Sequence, residues 1–161
     1  MVAADTSLIP KDAKAPATSV EPRQGWRFVL SAYASAAIIR WGKAYVAEFG
    51  TRSKTDDQAA QLFLAFTKTK AIVYIWDTSA PQGLMESTSP VPFMTVKVVV
   101  VRSGPVETGK WITETLNVYE DYKTLYGAEP PLVTGAPLQL YSQHTGTSAE
   151  SYFADVFFKK Q

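Results

Sequence analysis

The sequence predicts an all-β protein, an antiparallel jelly-roll β-sandwich with one short helix. Three observations lead there. Six to eight segments of strand length are rich in branched and aromatic residues. The connections between them carry Gly, Pro, Ser and Thr. Only one stretch carries both a start and a stop signal for a helix. A mixed α+β sheet is the alternative.

Residues 1–24 contain Ala, Pro, Lys, Ser and Thr but no aromatic residue, and read as a flexible tail. Residues 25–161 read as a single β-sandwich domain. Val29 to Ile39 supplies one or two strands. Gln61 to Phe66 is apolar on both faces, as a buried strand would be. Thr67-Lys68-Thr69-Lys70 is a hairpin connection to Ile72-Val73-Tyr74-Ile75-Trp76. Asp77 to Pro92 reads as a long surface loop. Thr95 to Arg102 is a strand bounded by Lys97 and Arg102. Leu138 to Ser142 and Tyr152 to Phe158 complete the set.

The helix is expected over residues 118–126. Asn117 stands at its N-cap, and Glu120 three residues on completes a capping box. Val118, Tyr122 and Leu125 share one face. Gly127 provides a left-handed C-cap, and Pro130-Pro131 prevents continuation.

The chain has 161 residues with 16 basic and 15 acidic side chains, a net charge of +1. That balance argues against a nucleic-acid partner, which calls for a basic excess. Charged residues are 19% of the chain, below the roughly 25% of soluble domains. With no Cys and one His, disulfides, thiolate metal sites, cysteine nucleophiles and multi-histidine metal sites are excluded. No apolar run approaches the roughly 18–20 residues that a spanning helix needs, so no transmembrane segment is expected. Met1 to Thr6 suits a cytoplasmic start or a mature terminus left by signal cleavage.

Several residues are candidates for chemistry. Gly104 to Lys110 matches G-x-x-x-x-G-K, but Trp111 stands where a phosphate loop needs Ser or Thr, and Pro105 removes a backbone donor. A turn between two strands is the expectation. His144 lies in Tyr141-Ser142-Gln143-His144-Thr145-Gly146, where a strand enters a loop, and is an exposed histidine or a ligand contact. Asp56-Asp57 precedes a strand; capping or pairing with Arg is expected, and calcium has no supporting loop motif. No cofactor is expected. Asp155 shares alternation with Phe153 and Phe157. If that face is inward, Asp155 is a buried carboxylate needing a partner such as Arg102 or Arg40; if not, it is exposed. Trp76 ends a strand beside Asp77 and is the candidate rim aromatic.

The order of these pieces resembles a bacterial family, the domain of unknown function 3047. The resemblance rests on Asp56-Asp57-Gln58-Ala59-Ala60, Val73-Tyr74-Ile75-Trp76, Arg102-Ser103-Gly104, Gly109-Lys110-Trp111, Asn117 to Tyr122, Tyr126-Gly127, Thr145-Gly146, Tyr152 and Asp155-Val156. It covers roughly Val29 to Phe158. It implies a jelly roll similar to carbohydrate-binding and galactose-binding-like domains, and a periplasmic or secreted location; a cytoplasmic one stays open. Its recurring polar positions fall on Asp56, Asp57, Arg102, Asn117, Asp121, Thr145 and Asp155. Relatives tend to carry acidic residues where this chain has Ser142, Gln143 and His144, so a neutral site, or none, is expected there.

The first functional reading is a non-catalytic binding module for a saccharide or other small polar ligand, with Trp76, Asp77, Arg102, Gln143, His144 and Thr145 as ligand contacts. Asp56, Asp57, Asn117, Asp121 and Asp155 are then structural. The second is an accessory subunit whose partner is a protein. The third is a glycan-acting enzyme using two of Asp57, Glu120, Asp121 and Asp155.

Overall fold

The computed structural model describes residues 24, 26–34, 60–77, 80–88, 93–104, 106–107, 109–140 and 151–160. They are mostly strand. The elements are β1 (Trp26–Ala34), β2 (Ala60–Ala65), β3 (Lys70–Asp77), β4 (Met85–Thr88), β5 (Thr95–Ser103), β6 (Trp111–Leu116), α1 (Val118–Tyr126), β7 (Leu138–Gln139) and β8 (Ser151–Lys160). One sheet has the order β4-β5-β3-β2-β7 and the other β6-β1-β8.

The expected hairpin is present. β2 and β3 pair from Ala60↔Trp76 to Ala65↔Ala71. The amides of Phe66 and Thr67 close the turn on the Lys70 carbonyl, at 3.1 and 3.3 Å. The wholly antiparallel arrangement is corrected, because β3 and β5 run parallel, from Lys70↔Thr95 to Asp77↔Ser103. The cause lies in the segment read as a loop. Met85–Thr88 is a strand that pairs antiparallel with β5. It takes the sheet edge, and β5 then returns between it and β3. An edge strand needs to satisfy only one neighbour, so it carries little apolar signal.

The core sits between the sheets. Leu62, Leu64, Ile72, Tyr74 and Val99 from the five-stranded sheet meet Leu116 of β6 and Val118 and Tyr122 of α1, with Phe153 and Phe158 of β8 packed against them. The opposite face of the five-stranded sheet carries a second cluster, Ala71, Val73, Ile75, Val96, Val98 and Val100. β3 is therefore buried on both faces, which explains its near-continuous apolar run.

The helix forms where its caps place it. Asn117 accepts a hydrogen bond from the Glu120 amide at 3.4 Å. Gly127 takes φ 65° and donates to the Lys123 carbonyl, a left-handed closure that glycine permits without a Cβ clash. Tyr122 stacks on Phe66 with centroids 4.6 Å apart. The Tyr126 hydroxyl lies 2.8 Å from the Ala71 carbonyl and 2.9 Å from that of Thr95, tying the last helical residue to β3 and β5 together.

Strand β8 departs from simple alternation. Its register with β1 shifts between Val29 and Ser31, which face Phe157 and Ala154. The extra residue on β8 is a β-bulge, and Asp155 within it has φ 52°. The bulge flips parity. Phe153 and Phe158 both pack inward, whereas Phe157 is exposed. Asp155 is exposed as well. Phe153 and Phe157 therefore do not share a face, and of the two placements open to Asp155 the structure has the exposed one.

Candidate functional site

Alternation along β6 sends Ile112, Glu114 and Leu116 inward and leaves Trp111, Thr113 and Thr115 exposed on the outer face. β8 adds Tyr152 and, beyond the bulge, Phe157. The register aligns these residues in rows. Trp111 and Tyr152 both face Tyr33 of β1, Thr113 and Ala154 face Ser31, and Thr115 and Phe157 face Val29. Trp111 is 57% exposed, Tyr152 43% and Phe157 46%. Two strand spacings separate Trp111 from Tyr152, roughly 9.5 Å. The outer face of the three-stranded sheet thus exposes Trp111, Thr113 and Thr115 on β6 and Tyr152 and Phe157 on β8, while Val29 on the central strand between Thr115 and Phe157 is buried.

Between the sheets lies a cavity of about 40 Å³ whose walls include Leu62, Tyr74, Trp76, Ile112 and Phe153, with Arg102 and Glu114. That volume holds a water molecule and not a sugar ring. The space between the sheets is therefore too small for a sugar ring.

The rim placement expected of Trp76 and Asp77 is corrected, whereas Arg102 keeps 28% of its side chain exposed. Trp76 is 4% exposed, and its indole N–H donates to the Gly104 carbonyl at 3.0 Å. Asp77 is buried; its Oδ1 accepts from the Ala80 amide at 2.7 Å, and its carbonyl accepts from the Gly104 amide at 3.0 Å. The Gly104 turn thus folds over the end of β3 and turns a rim into core. Arg102 donates to Glu114 and to Glu107. Those two carboxylates, Glu114 first, hold its guanidinium still more firmly charged. β5 ends at Ser103, and the residue after Lys110 opens β6.

Asn117 caps α1 through the Glu120 amide. Asp121 accepts the Tyr74 hydroxyl hydrogen at 2.7 Å. Burial raises the Asp121 carboxyl above its ordinary range, against the pull of Tyr74 and the Arg27 charge. Asp56, Asp57, Gln143, His144 and Thr145 lie outside the described residues. Among the described residues no group of three or more His, Asp or Glu gathers at a metal-holding distance, and no helix is long and apolar enough to cross a membrane.

Trp111 and Tyr152 carry part of the family resemblance but were not among the ligand contacts expected from the sequence. The signal for Trp111 was the period of two in Trp111-Ile112-Thr113-Glu114-Thr115-Leu116, which already separates it from the apolar inner residues. The family described as protein of unknown function (DUF3047) matches residues 40–157, more than half of the chain. No curated protein and no solved structure matches it.

Proposed function

The chain belongs to the DUF3047 family, and from that premise we propose that it is a non-catalytic binding module of the cell envelope that takes a saccharide on the outer face of its three-stranded sheet. The observation that carries this reading is the row in which Trp111 and Tyr152 flank Tyr33 in register, both exposed. Aromatic faces stack against the C–H faces of sugar rings, and Tyr and Trp offer an apolar body with a polar tip. The row spans about two strand spacings, the reach of a disaccharide. Thr113 and Thr115, exposed on the same face, supply hydroxyls for the sugar's own. The reading treats the two sheets as a jelly-roll-like sandwich with one working face.

Isothermal titration of the full chain with soluble gluco-, galacto- and N-acetylglucosamine oligosaccharides tests it. One of these is expected to bind, and Trp111→Ala or Tyr152→Ala to weaken it roughly tenfold or more. Binding that survives Trp111→Ala, or no binding across the panel, overturns the reading.

A second reading, an accessory subunit, is favoured by β8. It is an edge of its sheet among the described residues, with Val156 40% and Phe157 46% exposed. Apolar edges of this kind attract protein partners. Crosslinking in the native envelope that captures one defined protein from wild type, and not from Phe157→Lys, would favour it.

A further inference from the structure

We propose that the end of the five-stranded sheet bearing Phe93, Lys68, Lys70 and Lys97 rests on an anionic lipid surface. Phe93 is 93% exposed and holds φ 70°. A bulky L-residue in the left-handed region is strained by roughly 1 kcal/mol or more. Strain and full hydration of an aromatic ring are both unfavourable in water. Together they describe a side chain held out for a nonaqueous partner.

The charges at this end select the partner. The Thr95 amide, two residues after Phe93, donates to the Thr69 carbonyl at 2.8 Å. That bond locks the Thr67–Thr69 turn, with Lys68 exposed in it, to the start of β5. Lys70 faces Thr95 in register, and Lys97 faces Ile72. The Lys70 and Lys97 ammonium groups stand 5.2 and 5.5 Å from the centroid of one ring, that of Tyr126. Among the described residues no ion pair joins any of these three lysines to a carboxylate, whereas Lys123 on α1 is paired with Glu129 at 3.3 Å. Cation–π contact and the C-terminal dipole of α1 account for where Lys70 and Lys97 lie. They do not account for Phe93.

Clustered lysines beside a protruding aromatic ring are the two elements of interfacial anchoring. The cations meet lipid phosphates while the ring enters the headgroup and acyl boundary. An acidic protein surface would answer the lysines, whereas the acyl boundary behind the lipid phosphates answers the lysines and the ring together.

Co-sedimentation of the full chain with vesicles tests this. The probes are phosphatidylcholine vesicles and phosphatidylcholine vesicles containing phosphatidylglycerol. Binding is expected only with phosphatidylglycerol and is expected to weaken as salt screens it. Phe93→Gly fits the backbone better, so its melting temperature should hold or rise while partitioning falls about tenfold or more. Lys68→Gln and Lys97→Gln should each lower it about fivefold. Equal sedimentation with both vesicles, none with either, or a Phe93→Gly variant that sediments like wild type overturns the proposal. So does retention on an acidic polypeptide that Phe93→Gly leaves unchanged, since that outcome assigns the surface to a protein.

Discussion

The Tyr74 hydroxyl, on the central strand of the larger sheet, donates to the Asp121 carboxylate on the only helix among the described residues, at 2.7 Å. The bond crosses the core and fixes the helix against the sheet. A buried hydroxyl without a partner is costly, and a half-buried carboxylate equally so, so each depends on the other. Tyr74→Phe removes the donor and leaves the carboxylate. The expected loss is about 1.5–3 kcal/mol, the range for a hydrogen bond to a charged group. A lower urea midpoint with an unchanged slope would show it.

Asp121→Asn should act in the opposite direction at neutral pH. Burial raises the native carboxyl above its ordinary 3.8, so between those values the native state binds more protons than the unfolded chain. Stability therefore falls as pH rises through that interval, and the cost is fully present above it. Asparagine keeps an oxygen for the Tyr74 hydroxyl and carries no charge. The variant should be more stable than wild type at neutral pH, by less than Tyr74→Phe loses, because part of the carboxylate reaches solvent and the Arg27 charge also supports it. The advantage should vanish below pH 3.8. Urea titrations across that range would measure it.

Alkaline pH should destabilise the protein through its phenols. Burial raises Tyr74 well above 10.0 and pushes Tyr126 up to about 12. The unfolded chain loses these protons near 10 while the native chain keeps them. The native state thus binds more protons, and stability falls as pH rises above 10. Absorbance titration of tyrosinate should show late-ionising phenols, one of them lost in Tyr74→Phe and another in Tyr126→Phe. If all phenols ionise together near 10, the buried placement is wrong.

Local signals were legible where one residue decides the outcome. Asn117 and Gly127 announce the helix because each answers a specific unsatisfied backbone group. The Thr67–Lys70 turn is equally local. The parallel pairing of β3 with β5 was not legible, since nothing in either strand names its neighbour. Trp76 was misplaced for a related reason. Standing at a strand end suggests a rim, but the Gly104 carbonyl comes from a turn 28 residues away. Trp111 carried its signal in plain alternation and was obscured by the motif resemblance just before it. In β8 alternation itself failed, because a bulge adds one residue that no period of two can show.

That bulge supplies the last prediction. Asp155 holds φ 52° in the middle of a strand. Asp tolerates the left-handed region better than branched residues do, and glycine tolerates it best. Asp155→Gly should therefore stabilise the fold or leave it level, with a gain of up to about 1 kcal/mol. Asp155→Val should lose about 1–2 kcal/mol, since a β-branched side chain is strained there. The consequences reach the outer face of the three-stranded sheet. If valine drives the strand to regular pairing, every residue on one side of the bulge changes face, so that Phe157 turns inward or Tyr152 does. Saccharide binding should then fall in Asp155→Val and persist in Asp155→Gly. Thermal melts together with oligosaccharide titrations of the two variants would separate strain from register. Equal binding by both would show that the bulge does not order the aromatic face.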